Sequence, residues 1–306
     1  MTDAQTRNNT IRIMALVAIA TTVSVVLLAS LLSRPMITST TELTPLSLGK
    51  RTFHVHVPSG TGPFPVILGL HARGGTGWGI LQVIKAQQFS KGFILVCPDG
   101  PSNSWNVVAD PSSEPDADFV GRVLLNHVAN YANVSPSFHL FGQSNGAALT
   151  NRILIENDDG RLLTGITDSA QLNEYQWHNG SFFQGGASND YSVQKVPRQR
   201  RIFQITGGAD GIVPSDGTTR SAIESKQPGT NMLFLSWQKS ASAYAQAYGA
   251  PSPSPEPSPL PYEVVTSGNN VVVAFHDPNG GHILVGDPTD AVTMQLDAMI
   301  ASFLKG

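Results

Sequence analysis

Phe138–Gly146 reads FHLFGQSNG, and the meaning of this stretch decides the fold. Phe138–Phe141 has the composition of a short buried strand. Ala147–Glu156 follows at once with helical spacing. Between them, Gly142-Gln143-Ser144-Asn145-Gly146 is a G-x-S-x-G turn. In a strand–turn–helix setting this pattern holds a serine hydroxyl above the carboxyl edge of a sheet, with the next residue's N–H aimed at a reacting carbonyl. The glycines answer a steric need, because side chains in so sharp a turn would meet the sheet. Ser144 is therefore the candidate nucleophile, and a plain Gly-Ser turn is the alternative.

A serine needs a base to take its proton and a carboxylate to orient that base. On a strand–helix scaffold of this kind the partners follow in the order Ser, Asp or Glu, His. Arg201–Gly217, RIFQITGGADGIVPSDG, is an apolar strand ending in a Gly-rich turn that delivers Asp210, with Asp216 as competitor. Further on, Val271–Phe275 runs into HDPNGGHILVG. His282 lies beyond Gly280-Gly281, whose flexibility would bring the imidazole to Ser144, and His276 at the strand end is the alternative base. An oxyanion needs two fixed N–H donors. Asn145 N–H supplies one, and Ala72 or Arg73, in the HARGG loop after Leu70, the other.

The rest of the chain fits the same scaffold. Arg51–Val57, Phe64–Leu70, Phe93–Cys97, Thr164–Asp168 and Ile202–Thr206 read as strands. Ile80–Phe89, Asp116–Tyr131, Asn231–Tyr248 and Ala291–Leu304 read as helices. The alternation predicts an α/β domain over 51–306, with a mostly parallel sheet covered on both faces. Pro251–Pro261, PSPSPEPSPLP, reads as an extended surface loop. His54 and His56 alternate on a strand and are expected to face solvent. His71 is expected to pack the oxyanion loop.

Composition narrows the function. Of 306 residues, 13% are charged and 41% hydrophobic, with a formal net charge of -3. That gives no support to nucleic-acid binding, which draws on an excess of Lys and Arg. Cys97 is the single cysteine, so no intrachain disulfide forms. Residues 13–32 contain no charged side chain and match the length of a bilayer span. They are expected to form a retained signal anchor after a short tail at 1–12, with a cleaved signal peptide or a buried helix as alternatives. Residues 33–50 read as a linker. Asn133-Val-Ser and Asn179-Gly-Ser are glycosylation triplets.

With these pieces in order, the chain resembles an α/β-hydrolase esterase of the feruloyl esterase and polyhydroxybutyrate depolymerase group. The resemblance rests on LHARGGTG, on FILVCPDG followed by SWN, and on DADFV. It continues through FGQSNGAAL, ITGGADGIVPSDG and NGGHILVGD. It implies Ser144 as nucleophile, Asp210 as acid, His282 as base, and Trp105 beside the oxyanion loop as a substrate-binding residue. It also implies hydrolysis of small or polymer-bound esters with no cofactor and no metal. Three departures stand out. Ala72 replaces the group's usual Gly, Ser104 and Ala250 stand where it often has Cys, and Ile283–Gly286 replaces Trp-Pro-Gly. A peptidase, a thioesterase or a catalytically silent binding module on the same scaffold is the alternative function.

Overall fold

The computed structural model describes residues 34–107, 115–185, 191–193, 200–224, 231–258, 261–269 and 271–305, with scattered positions between 12 and 21. The first six strands are β1 (Leu46–Leu48), β2 (Arg51–His56), β3 (Phe64–Leu70), β4 (Ile94–Pro98), β5 (Val134–Gln143) and β6 (Leu162–Asp168). Three short strands form a separate small sheet: β7 (Trp177–His178), β8 (Ser181–Gly185) and β9 (Tyr191–Val193). Then come β10 (Arg201–Gly207), the pair β11 (Arg220–Glu224) and β12 (Asn231–Leu233), and finally β13 (Ser254–Pro255), β14 (Glu263–Ser267) and β15 (Val272–Asp277).

The main sheet has ten strands in the order β1-β2-β4-β3-β5-β6-β10-β15-β14-β13. Its centre, from β4 through β15, is parallel, and the flanks are antiparallel. Both faces are buried, which is why β3 is a continuous apolar run. Val66, Leu68 and Leu70 face one core with Leu140 and Ile153, while Ile67 faces the other with Phe141, Phe203 and Ile300. The covering helices are α1 (Gly77–Ala86), α2 (Asp116–Asp118, Phe119–Leu124 and Leu125–Val128, the middle part π-helical), α3 (Asn145–Glu156), α4 (Trp237–Ala247) and α5 (Ala291–Lys305).

Several expectations are corrected. The helix expected from Asn231 begins only at Trp237, where Ser236 Oγ accepts the Lys239 N–H at 3.3 Å. Asn231–Leu233 is a strand, because β11 supplies its ladder partner. The stretch read as a linker is part of the domain: Leu46–Leu48 pairs with β2 and Ile37 is 2% exposed. Asn133 explains that docking, since its amide exchanges two hydrogen bonds with the Ile37 backbone, each 3.0 Å. The same buried amide is thereby closed to a glycan. His54, expected in solvent, is buried against the Trp78 ring. Within the Pro-rich segment, Ser254–Pro255 forms a sheet edge on β14. The uncharged run at 13–32 falls largely outside the described residues, among which no helix is long and apolar enough to cross a membrane.

Candidate active site

β5 delivers Ser144 and α3 starts at the next residue. Ser144 sits at φ 52° and ψ −115°, a conformation that costs a non-glycine residue about 1–3 kcal/mol and persists only where the surroundings over-determine it. They do so here. Its N–H donates to the Asp168 carbonyl at 2.7 Å, and its own carbonyl accepts the Ala148 N–H at 3.0 Å. The two flanking glycines are sterically required. A Cβ on Gly142 would strike the Gly146 carbonyl, and one on Gly146 would strike the carbonyl of Leu70. The start of α3 thus abuts the end of β3.

Asp210 follows β10 and His282 follows β15, two adjacent parallel strands. The turns after them are joined backbone to backbone. Gly208 N–H donates to Asp277 O at 2.7 Å and Ala209 N–H to Gly280 O at 2.9 Å. A Cβ on Gly207 would meet the carbonyls of Gly280 and Gly281. Close approach is therefore what Gly207 and Gly280 serve, the latter against Leu284 and Asp277, while a Cβ on Gly281 would meet nothing within 4 Å. The result is a chain of hydrogen bonds. His282 Nδ1 lies 2.7 Å from Asp210 Oδ2, and His282 Nε2 lies 2.7 Å from Ser144 Oγ. A carboxylate can only accept, so Nδ1 carries the proton and Nε2 is free to take the serine's. The other Asp210 oxygen accepts the N–H groups of Ile212 and Val213 at 2.8 and 2.9 Å. Asp216, the competitor, is exposed and caps Thr218 and Thr219. Those donors, the Thr219 N–H first, hold its carboxyl below the usual range. His276, the alternative base, stacks on Trp237 with its Nδ1 3.0 Å from Thr206 Oγ1.

The loop after β3 closes as a tight turn. Gly75 N–H donates to Ala72 O at 2.9 Å, and Gly74 takes φ 80°, the geometry of a type II turn with glycine at its third position. Gly74 N–H is committed to Asn103 O at 2.7 Å. Among the described residues the N–H groups of Ala72 and Arg73 have no backbone partner, and the first N–H of α3 is that of Asn145. Helix geometry leaves that last one unpaired. The Asn145 side chain braces the site: Oδ1 accepts Trp105 N–H at 2.7 Å, and Nδ2 donates to Trp105 O at 3.1 Å. Trp105 Nε1 in turn donates to His71 O at 2.9 Å. At 4% exposed, Trp105 is buried, and this bond ties it to the loop after β3. His71 Nδ1–H donates to Ala72 O at 2.7 Å, while Nε2 accepts Gly100 N–H at 3.0 Å. Burial lowers its pKa, in keeping with this neutral ring.

Sequence reasoning missed Asp168. Its carboxylate ends β6, fully buried, directly opposite Gln143 of β5. Oδ1 accepts the Leu284 N–H at 3.0 Å and the Ser169 hydroxyl at 3.2 Å. Oδ2 accepts the Val285 N–H at 3.0 Å and Gln143 Nε2 at 3.1 Å. Burial raises its pKa, and the Leu284 and Val285 donors oppose that rise. The available signal was a carboxylate closing an apolar strand in GITDS.

No protein-family model matches the chain, and no curated protein matches it. Solved structures do. An acetyl xylan esterase from Aspergillus awamori superposes with a TM-score of 0.56 at 14% identity, covering 83% of this chain and 94% of that one. A 2,6-dihydroxy-pseudo-oxynicotine hydrolase superposes with a TM-score of 0.52 at 11% identity, covering 85% of this chain and 67% of the other. At such identities the likeness speaks for architecture. Together with the strand order and the serine at the β5–α3 turn, it shows that the chain has the α/β-hydrolase fold.

Proposed function

We propose that the protein is a serine hydrolase that cleaves carboxylic esters through an acyl-enzyme. The observation that carries this reading is the pair of 2.7 Å contacts joining Ser144 Oγ, His282 and Asp210. His282 Nε2 takes the Ser144 proton as Oγ attacks the ester carbonyl. Asp210 holds the imidazole and stabilises its cationic form. The developing oxyanion lies against Asn145 N–H and a second donor from Ala72 or Arg73. Loss of one such donor typically costs about 3 kcal/mol of barrier lowering. The imidazolium then protonates the leaving alcohol, and water, activated by the same base, releases the acid.

The finer reading is an esterase of the feruloyl esterase and polyhydroxybutyrate depolymerase kind, acting on small or polymer-bound esters. Its support is the run of motifs from LHARGGTG to NGGHILVGD. The acetyl xylan esterase of similar fold adds O-acetylated polysaccharide to the substrates worth testing. The reading also places the domain outside the cytosol, anchored by residues 13–32.

The test is Ser144→Ala assayed on p-nitrophenyl esters of graded length, methyl ferulate and acetylated xylan. The rate should fall by many orders of magnitude with the fold intact, since a nucleophile and its base act as a unit. A fluorophosphonate probe should label the wild type alone. A residual rate above about one part in a hundred is too high for a lost nucleophile and would sink the assignment.

A further inference from the structure

The segment that carries the base has an awkward geometry. Ile283, next to His282, sits at φ 65°, an outlier for a β-branched residue. Its neighbours across the site, Ser144 and Ser169, also have positive φ, 52° and 65°. Something must hold all three. The three consecutive N–H groups after His282 each end on one dipeptide. Ile283 N–H donates to Ser169 Oγ at 2.8 Å, Leu284 N–H to Asp168 Oδ1 at 3.0 Å, and Val285 N–H to Asp168 Oδ2 at 3.0 Å. Gln143, immediately before Ser144, spans the remaining gap. Its Nε2 donates both to Asp168 Oδ2 at 3.1 Å and to Val285 O at 2.6 Å. The Asp168 carbonyl receives the Ser144 N–H at 2.7 Å. One residue therefore touches the backbone of the nucleophile with its main chain and the backbone of the base-bearing loop with its side chain.

We propose that Asp168 is a positioning residue, clamping the His282 loop to the Ser144 turn so that Nε2 meets Oγ. The proposal rests on the reading of Ser144 as nucleophile and His282 as base. Asp168 does not replace Asp210, which faces His282 Nδ1; it acts two and three residues further on, through the loop. A carboxylate suits the task because it accepts on both oxygens. Asparagine has the same shape but turns one of those acceptors into a donor, so at least one of the buried N–H groups of Leu284 and Val285 loses its partner. A displacement of about 1 Å at the reacting atoms can cost about a hundredfold in rate.

The experiment compares full-length wild type, Asp168→Asn, Ser169→Ala and Ser144→Ala. It reads kcat and KM on a p-nitrophenyl ester, the rate constant for fluorophosphonate labelling, and the melting temperature. Rates are expressed per folded molecule. For Asp168→Asn the expected result is a fall in kcat of about a hundredfold, with KM changed by less than about threefold and labelling slowed in parallel. Ser169→Ala removes a single anchor, and its kcat and labelling rate should fall roughly threefold or more. A residue serving stability alone would lower the melting temperature and leave both per-molecule rates untouched. That outcome, or a rise in KM at constant kcat, overturns the proposal. If Asp168→Asn does not fold, Ser169→Ala decides by the same criterion. An inactive Ser144→Ala beside unimpaired clamp variants removes the clamp alone. An active Ser144→Ala removes the nucleophile reading and the clamp with it.

Discussion

Arg73 stands at the second position of the turn that follows β3, exposed, and its own N–H is one of the two candidate oxyanion donors of that loop. Among the described residues no ion pair involves it. The Asp99 carboxylate instead accepts the Thr52 hydroxyl at 2.7 Å and the Gly77 N–H at 2.8 Å, with His54 Nε2 3.5 Å away. A guanidinium so placed offers several fixed donors to a substrate leaving the site. Arg73→Ala should change stability by less than about 0.5 kcal/mol, as exposed substitutions do. It should lower kcat/KM for a carboxylate-bearing ester by more than about twofold relative to a matched neutral ester, a small free-energy change that paired assays resolve. An unchanged ratio would make Arg73 an ordinary surface residue. The residues that meet at the site were readable in the sequence for a specific reason. Ser144, Asp210 and His282 each close an apolar strand within a glycine-marked turn, and the geometry enforces the glycines. Asp168 closes a strand too, but no glycine turn follows it, and the loop N–H groups it holds lie 116 and 117 residues away.

At the scale of elements, strands buried on both faces were readable, and those defined by a partner were not. β3 matches its apolar run, Phe64–Leu70, at both ends. β12 has no local mark, because its conformation is set by Arg220–Glu224 across the ladder, and it read as the start of α4. β1 read as linker because Thr, Ser and Pro surround it, although its partner β2 was recognised. β5 also carries a buried histidine. His139 lies mid-strand, 6% exposed, with its ring edge-on to Phe93. Burial first, and the nearby Arg201 second, push its pKa down to about 4. The folded state thus binds fewer protons here than the unfolded chain once pH drops below about 6.5. Stability from this site is whole above that pH and is lost progressively as pH falls to 4, by up to roughly 3 kcal/mol. His139→Phe keeps the ring and removes the titration. Its melting temperature should drop less than the wild type's between pH 7 and 4.5, the difference being roughly 5 °C for a domain of this size. Equal drops would show that the folded protein accepts the charged ring.

At the scale of the whole molecule, the parts expected to do chemistry gather at one edge of the sheet. The carboxyl ends of β3, β5, β6, β10 and β15 supply the oxyanion loop, Ser144, Asp168, Asp210 and His282 in turn, the edge where open α/β sheets bind ligands. The anchor proposed for residues 13–32 is tested by carbonate extraction of membranes and by protease protection of intact cells. The full chain should stay with the membrane pellet, and the domain should be cleaved from outside. Recovery of a soluble chain starting near residue 34 would show a cleaved leader.

The docking of Ile37 onto Asn133 sets how such a tether would work. Pro35 O accepts the Ala132 N–H at 2.9 Å, so the chain is already tied down three residues after position 32. That leaves a leash of only about 10 Å even when fully extended. The tie lies just ahead of Val134, where β5 begins, and Ser144 lies just past its far end. At about 3.3 Å per residue the ten-residue strand separates them by roughly 30 Å. A domain moored at its foot in this way would keep its mouth turned from the lipid. Under the proposed anchor, its reach would be toward esters arriving from the surroundings, with the acyl chains of that bilayer out of range.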